Sequence, residues 1–122
     1  DAISAEARSM LDKSVEIYQK GDIEGAIALL KQGIRLDPLA YRLRYHLGLL
    51  YFKHGQLYDG ISELEQAVEL NPSSYPALRN LAILYERAGF KNKAVEMWER
   101  CAQVAPDDKT RDQIRAHILD FL

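Results

Sequence analysis

Residues 41–74, YRLRYHLGLLYFKHGQLYDGISELEQAVELNPSS, decide the fold, because two helices and a stop signal for each can be read in them. Leu47, Leu50, Tyr51 and His54 recur at helical spacing, and Ile61, Leu64, Ala67 and Val68 do so again after a glycine. Gly55 stands where the first helix would end in a left-handed conformation, which glycine adopts without steric cost. Pro72 follows the second helix, where a ring without an amide proton stops propagation. Ser74 then offers a hydroxyl to cap the next helix.

Working outward, the same punctuation returns at a fixed interval. Pro38, Pro72 and Pro106 are 34 residues apart, as are Gly21, Gly55 and Gly89, offset by seventeen. Small residues keep the register in Ser14, Gly48 and Ala82, in Ala26, Gly60 and Ala94, and in Gly33, Ala67 and Cys101. Large ones keep it in Leu30, Leu64 and Trp98 and in Ile17, Tyr51 and Tyr85. Small columns let helix axes approach, and large columns fill the space beside them. One helix pair cannot bury its apolar face alone, and three are present. The pattern predicts an all-α fold, a right-handed α-solenoid of three antiparallel helix pairs over about 7–40, 41–74 and 75–108. A C-terminal capping helix over about 108–121 follows, with Asp108 as its N-cap and Ile114, Ile118, Phe121 and Leu122 as its apolar stripe. Residues 1–122 read as one domain.

These columns resemble the tetratricopeptide repeat, which has small residues at repeat positions eight, twenty and twenty-seven and a proline at thirty-two. With Ala7, Tyr41 and Tyr75 as first positions, the match covers residues 7–108. The third unit fits best, through Leu78, Leu81, Ala82, Tyr85, Gly89, Ala94, Trp98 and Pro106. The first unit departs at Lys13 and Ser14, and the second at Arg44, whose aliphatic stem can still cover a neighbouring helix.

Composition excludes several function classes. The 122 residues are 48% hydrophobic and 28% charged, which suits a packed domain and not a disordered chain. A formal net charge of −2 gives no whole-molecule attraction to nucleic acid or anionic lipid. The longest apolar runs, such as Leu47 to Phe52, are far below a bilayer-spanning length, so no membrane insertion is expected. The single cysteine, Cys101, cannot form an internal disulfide, which fits a cytoplasmic setting. The start at Asp1 instead of a methionine reads as a fragment or a processed product.

No catalytic or cofactor motif stands out. His46 and His54 are eight residues apart, where a two-histidine metal site on a helix uses four. Cys101 falls in a small packing column with no positioned base, and Asp107 and Asp108 are explained by a helix start. No enzyme activity, metal or cofactor is expected.

The resemblance implies that the first helix of each pair lines a concave groove that takes peptide segments, as in a scaffold or adaptor. With positions four, seven, eight and eleven packed, the free face carries positions two, five, nine, twelve and thirteen. Here these are Arg8, Leu11, Val15, Tyr18 and Gln19; then Arg42, Tyr45, Leu49, Phe52 and Lys53; then Pro76, Arg79, Ile83, Glu86 and Arg87. That face holds five bases and one acid in an otherwise acidic chain, with Val15, Leu49 and Ile83 as an apolar column. It predicts a protein partner presenting apolar and acidic side chains. The family's chaperone-tail clamp for two carboxylates is not expected, because the corresponding positions hold Leu11, Val15, His46, Pro76 and Asn80. The second expectation is a homo-oligomer joined through solenoid ends or the terminal helix.

Overall fold

The computed structural model describes residues 3–122 and contains seven helices among them. They are α1 Ala5–Gln19, α2 Ile23–Leu36, α3 Tyr41–Lys53, α4 Leu57–Leu70, α5 Tyr75–Ala88, α6 Lys91–Gln103 and α7 Asp108–Phe121. Each helix packs on the next in sequence, so α1/α2, α3/α4 and α5/α6 form pairs and α7 closes on α6. The chain is an all-α solenoid of three helix pairs and a terminal helix.

The helix boundaries follow from local chemistry. Ser4, Asp22 and Ser74 accept the backbone N–H three residues on, satisfying donors that the first helical turn leaves unpaired. Ser4 also donates its own N–H to the Asp37 carboxylate at 2.9 Å, which ties the start of α1 to the end of α2. Gly21, Gly55 and Gly89 turn the chain between the helices of each pair at φ of 93°, 82° and 82°, where a Cβ would be strained. At α7 the cap is Asp107, not Asp108 as expected: its carboxylate accepts from Thr110 N at 2.7 Å, and Asp108 is already helical. That bond holds the Asp107 carboxyl below its ordinary pKa.

The tightest crossing lies between α3 and α4. A Cβ on Gly60 would stand 2.9 Å from the Gly48 carbonyl oxygen, and one on Gly48 would meet Leu64 Cγ at 2.8 Å. The two backbones therefore touch without intervening side chains. The core falls into two clusters on either side of this crossing. Leu11, Leu30, Leu43, Leu47 and Leu50 belong to the first, and Leu64, Leu78, Leu81, Leu84 and Trp98 to the second. Each fully buried leucine contributes about 1.5–3 kcal/mol by leaving water. Arg44, the departure in the second repeat, forms an ion pair with Glu63 of α4 at 3.2 Å.

In α7, Ile114 is buried and Ile118 and Phe121 are half-buried against α6, as the stripe requires. Leu122 does not join them. It lies beyond the last helical turn and is 70% exposed.

Candidate functional site

The first helices α1, α3 and α5 lie side by side, and side chains 35 residues apart link them. Lys53 Nζ donates to the Tyr18 hydroxyl at 3.2 Å and lies 5.1 Å from the centre of that ring. One repeat later, the Arg87 guanidinium lies 5.2 Å from the centre of the Phe52 ring. Both pairs join repeat position twelve of one unit to position thirteen of the next, so the solenoid repeats a cation-over-ring contact. A third link joins Asn80, which donates to the Tyr45 hydroxyl at 3.1 Å and to the Pro76 carbonyl at 2.8 Å.

The fifteen residues expected on this face are not equally free. Arg8, Arg42, Lys53, Arg79 and Arg87 are exposed, and Tyr45, Leu49, Phe52 and Ile83 are half-buried along it. Val15 is 40% exposed. Leu11 is a correction. It is only 7% exposed and belongs to the core shared by α1, α2 and α3. At position five its aliphatic side chain is drawn into that core, whereas Tyr45 at the same position stays half-buried and Arg79 exposed.

Between α1 and α3 the face opens into a cleft of about 320 Å³, lined by Val15, Tyr18, Leu49, Leu50 and His46 with Lys53 beside them. A shallower hollow of about 230 Å³ lies next to it, bounded by Leu11, Arg42, Tyr45, His46 and Pro76. His46 is common to both. Burial, helped by the nearby Arg42 charge, lowers its pKa from 6.5, so the imidazole is held neutral.

Bases outnumber acids on this face by five to one, in a chain of net charge −2. Among the described residues, Arg8, Arg42, Lys53, Arg79 and Arg87 have no carboxylate within ion-pair distance. Elsewhere some bases are neutralised in place: Lys20 pairs with Glu16, Arg44 with Glu63, and Arg111 with Asp108 and Asp112. Glu86, the one acid on the face, is already engaged. Its carboxylate accepts the Trp98 indole N–H and lies 2.6 Å from His117 Nε2, so it joins α5 to both α6 and α7. Sequence reasoning placed Glu86 on the free face and missed this role, because its partners lie twelve and thirty-one residues away. The cation-over-ring ladder was legible as an aromatic at position twelve followed 35 residues later by a base.

The remaining chemistry is structural. Cys101 is buried and its thiol is pushed up to about 11 by burial, which keeps it protonated near neutrality. Among the described residues, no three His, Cys, Asp or Glu side chains gather as metal ligands, and no helix is long and apolar enough to cross a membrane.

Comparisons with known proteins agree with this architecture. The family described as TPR repeat matches residues 16–55, and the tetratricopeptide repeat family matches residues 41–74. The first TPR of Spaghetti (RPAP3), solved bound to the HSP90 peptide SRMEEVD, superposes with a TM-score of 0.84 at 18% identity, covering 98% of this chain and 93% of that one. The type III secretion translocator chaperone SycD of Yersinia enterocolitica superposes with a TM-score of 0.84 at 14% identity, covering 98% and 86%. The Sgt2 TPR domain of Aspergillus fumigatus gives 0.81 at 16% identity, covering 98% and 83%. At these identities the likeness is one of fold. No functionally curated protein matches the chain by sequence. The 34-residue columns, the three helix pairs with their terminal helix, and the matched repeats place this chain in the tetratricopeptide-repeat family.

Proposed function

We propose that the chain is a protein-interaction module that docks a segment of another protein, bearing apolar and acidic side chains, along the face of α1, α3 and α5. The observation that carries this reading is the set of five bases without carboxylate partners on the face that holds the apolar cleft, with Lys53 at the cleft itself. The cleft beside Val15 and Leu49 suits one apolar side chain, with Lys53 placed for a neighbouring carboxylate. Arg42, Tyr45, Arg79, Ile83 and Arg87 extend the same chemistry along the face, and Arg8 lies at its α1 end. Leu11 supports the floor from within the core.

The peptide SRMEEVD bound by the RPAP3 neighbour combines acidic and apolar side chains and is a precedent for ligands of this class on this fold. In this chain the Asn80 amide is already spent on Tyr45 and Pro76. Rings that hold Lys53 and Arg87 in place reduce the conformational freedom lost when a ligand carboxylate arrives. The reading assigns the chain a docking role and no catalytic step.

Affinity capture with the wild-type chain beside Arg42→Glu/Arg79→Glu/Arg87→Glu tests it. Selective loss of one captured protein, restored by charge reversal in that protein's acidic segment, supports the reading. Identical capture by both chains sinks it.

A further inference from the structure

The two ends of the solenoid differ in what they leave uncovered. On the outer face of α1, Glu16 occupies the repeat position that Leu50 and Leu84 fill in the next two pairs, and Asp12 and Lys13 accompany it. All three are exposed, so this end is closed by charge. The other end is not. In the repeat register, Ala116 and Leu119 of α7 continue the columns of Ser14, Gly48 and Ala82 and of Ile17, Tyr51 and Tyr85. In the three pairs those columns form the face that each first helix packs against its second, and all of them but half-buried Ile17 are buried. In α7 both residues are exposed, Leu119 by 74%.

Beside Leu119 lies a cleft of about 370 Å³ between α6 and α7, lined by Glu99, Ala102, Gln103, Arg115, Ile118 and Leu119. One patch therefore holds a projecting apolar side chain and a partly apolar recess. It also holds an acid and a base, Glu99 and Arg115, neither with an ion-pair partner among the described residues. A surface meeting its own copy across a two-fold axis must carry both members of every complementary pair, and this patch does. Stacking this end on the α1 end of another copy would instead press Leu119 against Glu16 and Asp12.

We infer that the α6/α7 end is a self-association surface on which two copies meet around a two-fold axis. Leu119 of each enters the cleft of the other, and Glu99 of each faces Arg115 of the other. The contact is closed, so it gives a dimer and no filament. It leaves the face of α1, α3 and α5 open in both copies.

Sedimentation velocity from about 10 µM to about 1 mM, the range over which weak contacts populate, tests the inference. The wild-type chain is expected to shift from one to two times its 13.9 kDa mass. Leu119→Glu should abolish the shift, and Glu99→Arg or Arg115→Glu alone should weaken it about ten-fold. The double exchange Glu99→Arg/Arg115→Glu should restore it. All three positions are exposed, and matching thermal melts will show that the variants fold. A wild-type chain that stays monomeric throughout, or a dimer indifferent to Leu119→Glu, overturns the inference.

Discussion

The Arg87 guanidinium lies 5.2 Å from the centre of the Phe52 ring, one repeat along from the equivalent contact of Lys53 with Tyr18 at 5.1 Å. Each contact fastens one first helix to the next while leaving the cation's outer side free of any acid among the described residues. The same side chains thus serve the stacking of repeats and the charge of the face.

If the ring holds the cation, the two substitutions are not independent. In a double-mutant cycle of Phe52→Leu and Arg87→Gln, urea unfolding should give a coupling of about 0.5–1 kcal/mol. Strict additivity would show that Arg87 merely passes over the ring.

Gly60→Ala places a methyl group 2.9 Å from the Gly48 carbonyl oxygen, against backbone that cannot turn aside as a side chain would. Despite alanine's better helix propensity, the substitution should cost about 1–3 kcal/mol in urea unfolding. An unchanged midpoint would mean that α3 and α4 separate without penalty.

Much of this architecture was legible in the sequence because punctuation is local. A glycine that must turn at positive φ and a proline that ends a helix act on their own neighbours, so Gly55 and Pro72 marked boundaries without knowledge of the fold. The side-chain network was legible only in part. Leu11 and Val15 stand four apart on one helix face, yet the core shared with α2 and α3 takes in the first and leaves the second 40% exposed. Periodicity gives a direction around one helix axis but not the depth at which a neighbour crosses it. Glu86 was read as a surface acid for the same reason, since Trp98 and His117 reach it from two other helices. The continuation of the packing columns into Ala116 and Leu119 was hidden by Asp112 and Arg115, which break the apolar pattern at neighbouring positions.

Glu86 should hold α7 in place. Glu86→Ala leaves the Trp98 indole N–H and His117 without their shared acceptor, at about 1–3 kcal/mol. Hydrogen exchange should accelerate in α7 more than in α1 to α4, as local opening of the terminal helix requires. Uniform acceleration across all seven helices would assign Glu86 to global stability alone.

Tyr85 makes the fold sensitive to alkali. Burial, and then its hydrogen bond to the Glu65 carboxylate, raise its pKa well above the ordinary 10.0. The folded state therefore keeps a proton that the unfolded state releases above pH 10, so the contribution is full below that pH and is lost as pH rises further. Unfolding free energy should fall more steeply above pH 10 in wild type than in Tyr85→Phe. Parallel pH profiles would remove Tyr85 as the cause.

The central claim is that the face of α1, α3 and α5 reads acidic and apolar side chains together. Selection of short random peptides on the immobilised wild-type chain, with parallel selection on Arg42→Glu/Arg79→Glu/Arg87→Glu, tests it most directly. The account predicts that wild type enriches peptides in which Asp or Glu alternates with large apolar residues, and that the variant loses this enrichment. Enrichment of basic peptides, or the same acidic consensus on both proteins, would contradict it.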